Sequence, residues 1–492
     1  MKSLFITILG MLVISFDSIG IKLSPLFSHN MILQRNSNIT LFGEAIAGEK
    51  IIITPSWSNK SYSTTTKENG KWSLDIATSE AGEGYSIIIE AETSTITLNN
   101  VALGEVWLCS GQSNMYWTPA DGLVNYEQEV AEANYPNIRF FSVPTFASNS
   151  EPQEEIKSQW QICTSKTMDH FSCVGYFFAR ELLNYLHIPI GVINASWGGG
   201  NIEQFIKADL IEHDSLFIHS AKKNCGWRDW MVAQSDDLQK KLIKKKDSEE
   251  ISWYGTIYNG MIYPLQKYKI AGVLWYQGES QRVYPYAYAS LMKVLIDSWR
   301  NAWGYDFPFY SVQIAPFRDE QNRYILQHPL VVEQQIQAAQ YHNCGIIPTN
   351  DIGDIHNIHP TNKQEVGKRL ALLALGKHYK QIDRGYQSPM YKSYQLINDT
   401  IVIQLEDIKE NGGLVIDGDS IKGMQIAGED KIFHDAYCKI NKKENYSISV
   451  WSPKVRKPVA VRYCFLDVGI GNLFNKNKWP VSPFRTDQWE IE

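Results

Sequence analysis

The chain has 492 residues, enough for about three domains of ordinary size. Apolar residues make up 44% and charged residues 20%, the balance of a folded globular protein, which excludes wholesale disorder and fibrous repeats. With 47 Lys and Arg against 53 Asp and Glu the net charge is −6, so the chain is not expected to bind nucleic acid.

In chain order, Lys2 precedes the apolar run Leu4–Phe16, and Ser18 and Gly20 are small residues suited to cleavage. This predicts a signal peptide over residues 1–20 and an exported product, periplasmic or extracellular, with no membrane span after cleavage. Residues 21–100 alternate short β-rich runs (Ile39–Phe42, Lys50–Thr54, Trp72–Ile76, Tyr85–Ala91) with turn signals, as in a small β-sandwich. From 101 to 379 strands alternate with helices. Strands are expected at Val106–Cys109, Ile190–Ala195, Ile270–Tyr276 and Phe309–Ile314. Helices are expected at Val174–His187, Tyr286–Trp303, Val331–His342 and Lys363–His378. That order predicts an α/β domain with a parallel sheet covered on both faces. A polar insertion at about 208–252 holds the charge run Lys240–Lys246, read as a solvated helix face. Residues 380–492 return to short strands (Ile401–Leu405, Ser447–Trp451, Ala460–Cys464), a second β module.

Seven cysteines lie at 109, 163, 173, 225, 344, 438 and 464 without a CxxC pair, which removes the usual zinc and thioredoxin-type readings. Their odd number leaves at least one free thiol. The 15 Trp and 26 Tyr tilt the reading toward carbohydrate, since aromatic faces stack on sugar rings, although most Trp serve as core.

Four segments at predicted strand ends carry chemistry. Gly111-Gln112-Ser113-Asn114-Met115 places a serine at a strand-to-helix turn, where backbone N–H groups can receive an oxyanion. The ordinary alternative is that Ser113 caps the helix. Asn194-Ala195-Ser196-Trp197-Gly198-Gly199-Gly200 offers glycines whose backbone can approach a ligand. Trp275-Tyr276-Gln277-Gly278-Glu279 presents Gln277 as an amide donor, or else Gln277 and Glu279 as caps. Asp351-Ile352-Gly353-Asp354-Ile355-His356-Asn357-Ile358-His359-Pro360 puts histidines before a helix, placed to serve as base to Ser113. Metal binding by His356-x-x-His359 with Asp351 and Asp354 is the rival, but the helical i, i+4 spacing is missing. Together the four assemble acyl transfer through a serine ester at the ends of parallel strands.

These motifs resemble the sialate O-acetylesterases of the SGNH hydrolase superfamily over nearly the whole mature chain. His29-Asn30-Met31-Ile32-Leu33-Gln34-Arg35, Gly104–Ser110 leading into the Ser113 block, Tyr258–Ile262, Trp275–Ser280, His359-Pro360 with Asn362-Lys363, Gly367–Leu370, Ile426–Asp430 and Pro483–Asp487 all match its phrases. The resemblance implies a flavodoxin-like three-layer α/β/α domain flanked by β-sandwich-like modules. It implies Ser113 as nucleophile, His359 as base, and an oxyanion hole from the backbone N–H of Ser113, that of Gly199 and the Gln277 amide. The implied substrate is an O-acetylated sialic acid or glycan, with no metal or organic cofactor. Three positions depart from the family. His356 stands where an orienting Asp is common, which leaves Asp351, Asp354 or a backbone carbonyl as the third member. Gly200 replaces a Thr, and Val332-Glu333 replaces an Arg-Glu pair. Acetyl-xylan deacetylation is the rival enzyme reading. A non-catalytic glycan-binding protein is the rival from another class.

Overall fold

The structure, a computed structural model, describes residues 20–148, 151–224, 254–318, 326–406, 408, 411–443 and 446–491. Residues 1–19 of the predicted signal peptide, the run Lys240–Lys246 and Cys225 lie outside the described residues. Among those described, no helix is long and apolar enough to cross a membrane, and none of the six cysteines is in a disulfide.

A parallel sheet organises the chain. Its strands are β1 (Thr95–Gly111), β2 (Tyr135–Ser142), β3 (Ile190–Ser196), β4 (Gly272–Tyr276), β5 (Phe309–Val312) and β6 (Cys344–Ile347), in the order β2-β3-β1-β4-β5-β6. Strands β3 and β4 are buried at every residue, as both-faced coverage requires. Alternation along β1 sends Val106 and Leu108 into one apolar core and Trp107 and Cys109 into another.

Among the helices that follow these strands are α1 (Ser113–Tyr116), α2 (Cys173–Leu186), α3 (Tyr288–Trp303), α4 (Gln327–Ala338) and α5 (Lys363–Lys377). Val174 and Phe177 of α2 meet Leu370 and Leu373 of α5 in the core that holds Trp107. Leu291, Leu295 and Trp299 of α3 enter the other. Ser172 caps α2 by accepting from Gly175 N–H at 3.1 Å, and Asn362 caps α5 by accepting from Glu365 N–H at 3.2 Å.

The expected boundary at residue 100 falls inside β1. Its first half pairs antiparallel with Gly82–Glu90 of the N-terminal strands, and its second half is the centre of the parallel sheet. Leu26 and Ile51 therefore share one continuous core with Trp275 and Trp299. The C-terminal strands have a separate core of Ile401, Ile403, Ile448, Val450 and their neighbours.

Candidate active site

Parallel register puts three motifs at one level. Gly111, the last residue of β1, lies opposite Ser196 at the end of β3 and Tyr276 at the end of β4. Gly111 has φ of +132°, and a Cβ there would lie 2.2 Å from the Tyr276 carbonyl oxygen, so only glycine makes this turn. Ser113 follows as the first residue of α1. Gln112 holds the capping position, so the helix-cap reading of Ser113 does not apply.

The serine hydroxyl instead meets the histidine loop: His359 Nε2 lies 2.7 Å from Ser113 Oγ, across 246 positions of sequence. The imidazole stacks on Trp117 with ring centroids 4.5 Å apart and planes 22° from parallel. Asn357 Oδ1 accepts from the His359 N–H at 2.9 Å and fixes the loop. His356 is exposed, and its N–H donates to Asp354 Oδ1 at 2.9 Å.

Neither expected carboxylate reaches the histidine. Asp351 is held bidentately by Arg369 at 2.8 and 2.6 Å, and Asp354 is spent on its own loop. Among the described residues no carboxylate is hydrogen-bonded to His359, and no three His, Cys, Asp or Glu side chains gather as a metal site. Burial and then the nearby Lys363 cation push the His359 pKa down to about 4, with Asp121 opposing. The imidazole is thus neutral, the form that accepts a proton, at every pH above about 4. We expect the acid limb of kcat/KM to lie near that value rather than at 6.5, and to move upward in Lys363→Met. A limb at 6.5 or higher in the unaltered enzyme would reveal a carboxylate stabilising the imidazolium.

Gly199 sits in a turn closed by Gly200 N–H donating to the Trp197 carbonyl at 3.1 Å, with φ of +72°. The N–H groups of Ser113 and Gly199 have no acceptor among the described residues. A Cβ at position 200 would lie 2.9 Å from Phe205, so the turn suits glycine there.

Gln277 corrects its expectation. Its Nε2 donates to the Gly200 carbonyl at 3.2 Å and to Gln281 Oε1 at 2.9 Å. The orientation is dictated by a chain: Glu203 only accepts, so Gln281 donates to it at 2.9 Å and turns its own oxygen toward Gln277. The atom Gln277 leaves without a partner is its carbonyl oxygen, the wrong polarity for an oxyanion. Gln277 thus braces the glycine turn instead of donating into the site. Gln277→Ala should cost about 1–3 kcal/mol of stability by stranding the buried Gly200 carbonyl and leaving Gln281 Oε1 with only the Ile202 N–H at 3.4 Å. Its kcat should fall less than the roughly 100-fold that losing an oxyanion donor brings. Thermal melts with steady-state kinetics check this; an unchanged Tm with a hundredfold kcat loss would restore Gln277 as a donor.

Beneath the pair lies a buried polar cluster that the motifs contained but whose role their sequence did not reveal. Asn114 Nδ2 donates to Glu279 Oε1 at 2.6 Å and to the Ile358 carbonyl at 3.0 Å, tying the serine turn to the residue before His359. Lys363 Nζ donates to Asn114 Oδ1 at 2.5 Å and lies 5.5 Å from the centres of the Trp117 and Tyr276 rings. Burial lowers the Lys363 pKa to about 7 and raises that of Glu279. The available signal was a lysine and a glutamate at buried strand and helix ends, each within four residues of a candidate site residue.

A Ser–His pair above the carboxyl ends of a parallel sheet is a hydrolase-type site. Residues 103–375 match the family described as carbohydrate esterase, sialic acid-specific acetylesterase. A sialate O-acetylesterase of Mus musculus is 26% identical over 440 residues, with 79% of each chain covered. Its counterpart in Rattus norvegicus is 27% identical over 433 residues, with 77% of each covered. A solved carbohydrate acetylesterase from Xanthomonas citri superposes with a TM-score of 0.83 at 29% identity, covering 95% of this chain and 100% of that one. The chain belongs to the sialic acid-specific acetylesterase family of carbohydrate esterases.

Proposed function

We propose that this protein is an exported serine esterase that removes O-acetyl groups from sialic acids. The observation that carries the reading is the 2.7 Å contact between His359 Nε2 and Ser113 Oγ in a chain of this family. Ser113 Oγ attacks the acetyl carbonyl while His359 takes the hydroxyl proton. The N–H groups of Ser113 and Gly199 receive the negative oxygen. Collapse breaks the ester bond, and the imidazolium returns its proton to the departing sugar oxygen. Water, deprotonated by His359, then releases acetate from the acetyl-serine, and the proton returns to Ser113 Oγ. No carboxylate is required: the stack on Trp117 and the Asn357 and Asn114 contacts hold the loop, so the site runs as a dyad.

The domain that carries this site is read as a flavodoxin-like three-layer SGNH domain with β-sandwich-like modules on either side. Export rests on the apolar run Leu4–Phe16 and on the small residues Ser18 and Gly20 that follow it. A second reading, a neutral acetylated polysaccharide such as acetyl-xylan, is favoured by one feature. Val332 lies in an apolar cluster with Ile314 and Val331, and Arg485 occupies the Glu333 carboxylate at 2.7 and 2.8 Å. The position where relatives carry Arg therefore supplies no cation for a sialate carboxylate. Acetate release from a panel of O-acetylated sialic acids and acetyl-xylan decides between them. Preferred turnover of the sialic acids is expected, and turnover of xylan alone would move the substrate to the second class.

A further inference from the structure

The C-terminal module carries a second feature, away from the serine motifs in sequence. Its sheet is built from β7 (Tyr391–Ile397), β8 (Thr400–Leu405), β9 (Tyr437–Asn441) and β10 (Ser447–Trp451), in the order β7-β8-β10-β9. One face, through Ile401, Ile403, Ile448 and Val450, is the module's core. Alternation turns the neighbouring residues to the opposite face.

On that outer face the register lines up a row across all four strands. Ile397 lies opposite Thr400, and Tyr437 opposite Trp451; Thr400 comes one position before Ile401, whose partner is Val450, and so falls in line with Trp451. Ile397 is 53% exposed, Tyr437 61% and Trp451 37%. The Tyr437 and Trp451 rings are 6.1 Å apart and 26° from parallel. They border a hollow of about 500 Å³ with Asp399, Thr400 and Arg456. The next row is polar: Gln395, Ser449 and Lys439 flank Val402, and Asn441 donates to the Ser447 and Ser449 hydroxyls at 3.1 and 2.9 Å. Arg456 borders the hollow, Lys454 and Lys457 are exposed in the same loop after Trp451, and none of the three forms an ion pair among the described residues.

Exposed aromatic rings beside hydrogen-bonding side chains match the two sides of a sugar, a C–H face and a hydroxyl edge. The three cations of this loop, set against Asp399 at the hollow and Asp430 near the Arg456 backbone, add a preference for a negatively charged chain. We propose that this face binds the saccharide chain of a sialylated glycan. The aromatic row takes the sugar faces, and Arg456 with the loop lysines Lys454 and Lys457 takes the sialate carboxylates. The identity of the sugar rests on the sialate reading above; the site itself does not.

The test uses the full chain in affinity electrophoresis through gels containing sialylated, unacetylated mucin or the same mucin desialylated. Retardation by the sialylated mucin is expected. Trp451→Ala and Tyr437→Ala should weaken it about tenfold, and Arg456→Gln severalfold. All three should turn over p-nitrophenyl acetate within about twofold of the unaltered enzyme, which also shows that they fold. Trp451→Phe should restore most of the retardation. Variants retarded like the unaltered protein, no retardation of the unaltered protein, or equal retardation by desialylated mucin would each overturn the proposal. So would a concentration-dependent dimer that Trp451→Ala dissociates, since a second copy would then occupy the row. Failure to release acetate from O-acetylated sialic acids would sink the enzymatic reading while leaving retardation intact, so the two failures are distinct.

Discussion

Ser113→Ala is expected to lower kcat by roughly 10⁴-fold or more while leaving the fold unchanged, as losing a nucleophile does in serine hydrolases. The magnitude follows from the chemistry: without Oγ there is no acetyl-enzyme, and only the N–H groups of Ser113 and Gly199 remain to stabilise charge. Structural retention follows from the contacts. Ser113 is half-buried, its hydroxyl caps no helix, and its side-chain partner is His359 Nε2. Alanine also suits the first turn of α1, so stability should stay within about 0.5 kcal/mol. Turnover of p-nitrophenyl acetate by protein freed of host esterases, with a melting curve beside it, measures both. Activity above a tenth of the unaltered rate would remove Ser113 from the chemistry.

Much of this site was legible in sequence because strand-end loops of a parallel sheet converge by topology. The Gly111–Met115, Asn194–Gly200 and Trp275–Glu279 segments each follow an apolar run, and the register of β1, β3 and β4 brings them level. Helix α2 was expected at Val174–His187 and lies at Cys173–Leu186, because its apolar spacing and the Ser172 cap are local signals. Strand β2 was not anticipated. Pro136, Asn137 and Arg139 interrupt its apolar pattern, and Arg139 is buried only because the Met31 and Asn100 carbonyls, from far along the chain, accept its hydrogens. Strand β6 is four residues long and contains Gly345, too short for a periodic signal. The boundary at residue 100 was misplaced because a 17-residue strand serves two sheets, and turn chemistry does not mark such a passage. Gln277 was misread for a similar reason. Its amide direction is set by Gln281 and Glu203, and no property of Gln277 alone reveals that.

His359→Ala should be as damaging as Ser113→Ala, and His356→Ala nearly silent. Two histidines three positions apart have equal claim in sequence, but their surroundings differ. His359 is half-buried with Nε2 on the serine and its ring on Trp117, whereas the exposed His356 contributes a backbone N–H to Asp354, which alanine retains. Losing the base while keeping the nucleophile leaves a neutral hydroxyl that attacks poorly, since residues acting as a unit fail together. The two aspartates then separate orientation from stability. Asp354→Asn keeps an oxygen for the His356 N–H and should change kcat by less than about threefold, within the range of a surface substitution. Asp351→Asn removes one of the two carboxylates on Arg369, whose side chain is 3% exposed, while Glu365 stays at 3.0 Å, and should cost about 1–3 kcal/mol of stability. In the molecules that remain folded, kcat should persist, because neither Asp351 oxygen bonds the imidazole. Kinetics normalised to the folded fraction, taken from a denaturation curve at the assay temperature, therefore distinguish the roles. A hundredfold loss of normalised kcat in either aspartate variant would establish a triad. A dead His356→Ala beside an active His359→Ala would transfer the base to the other histidine.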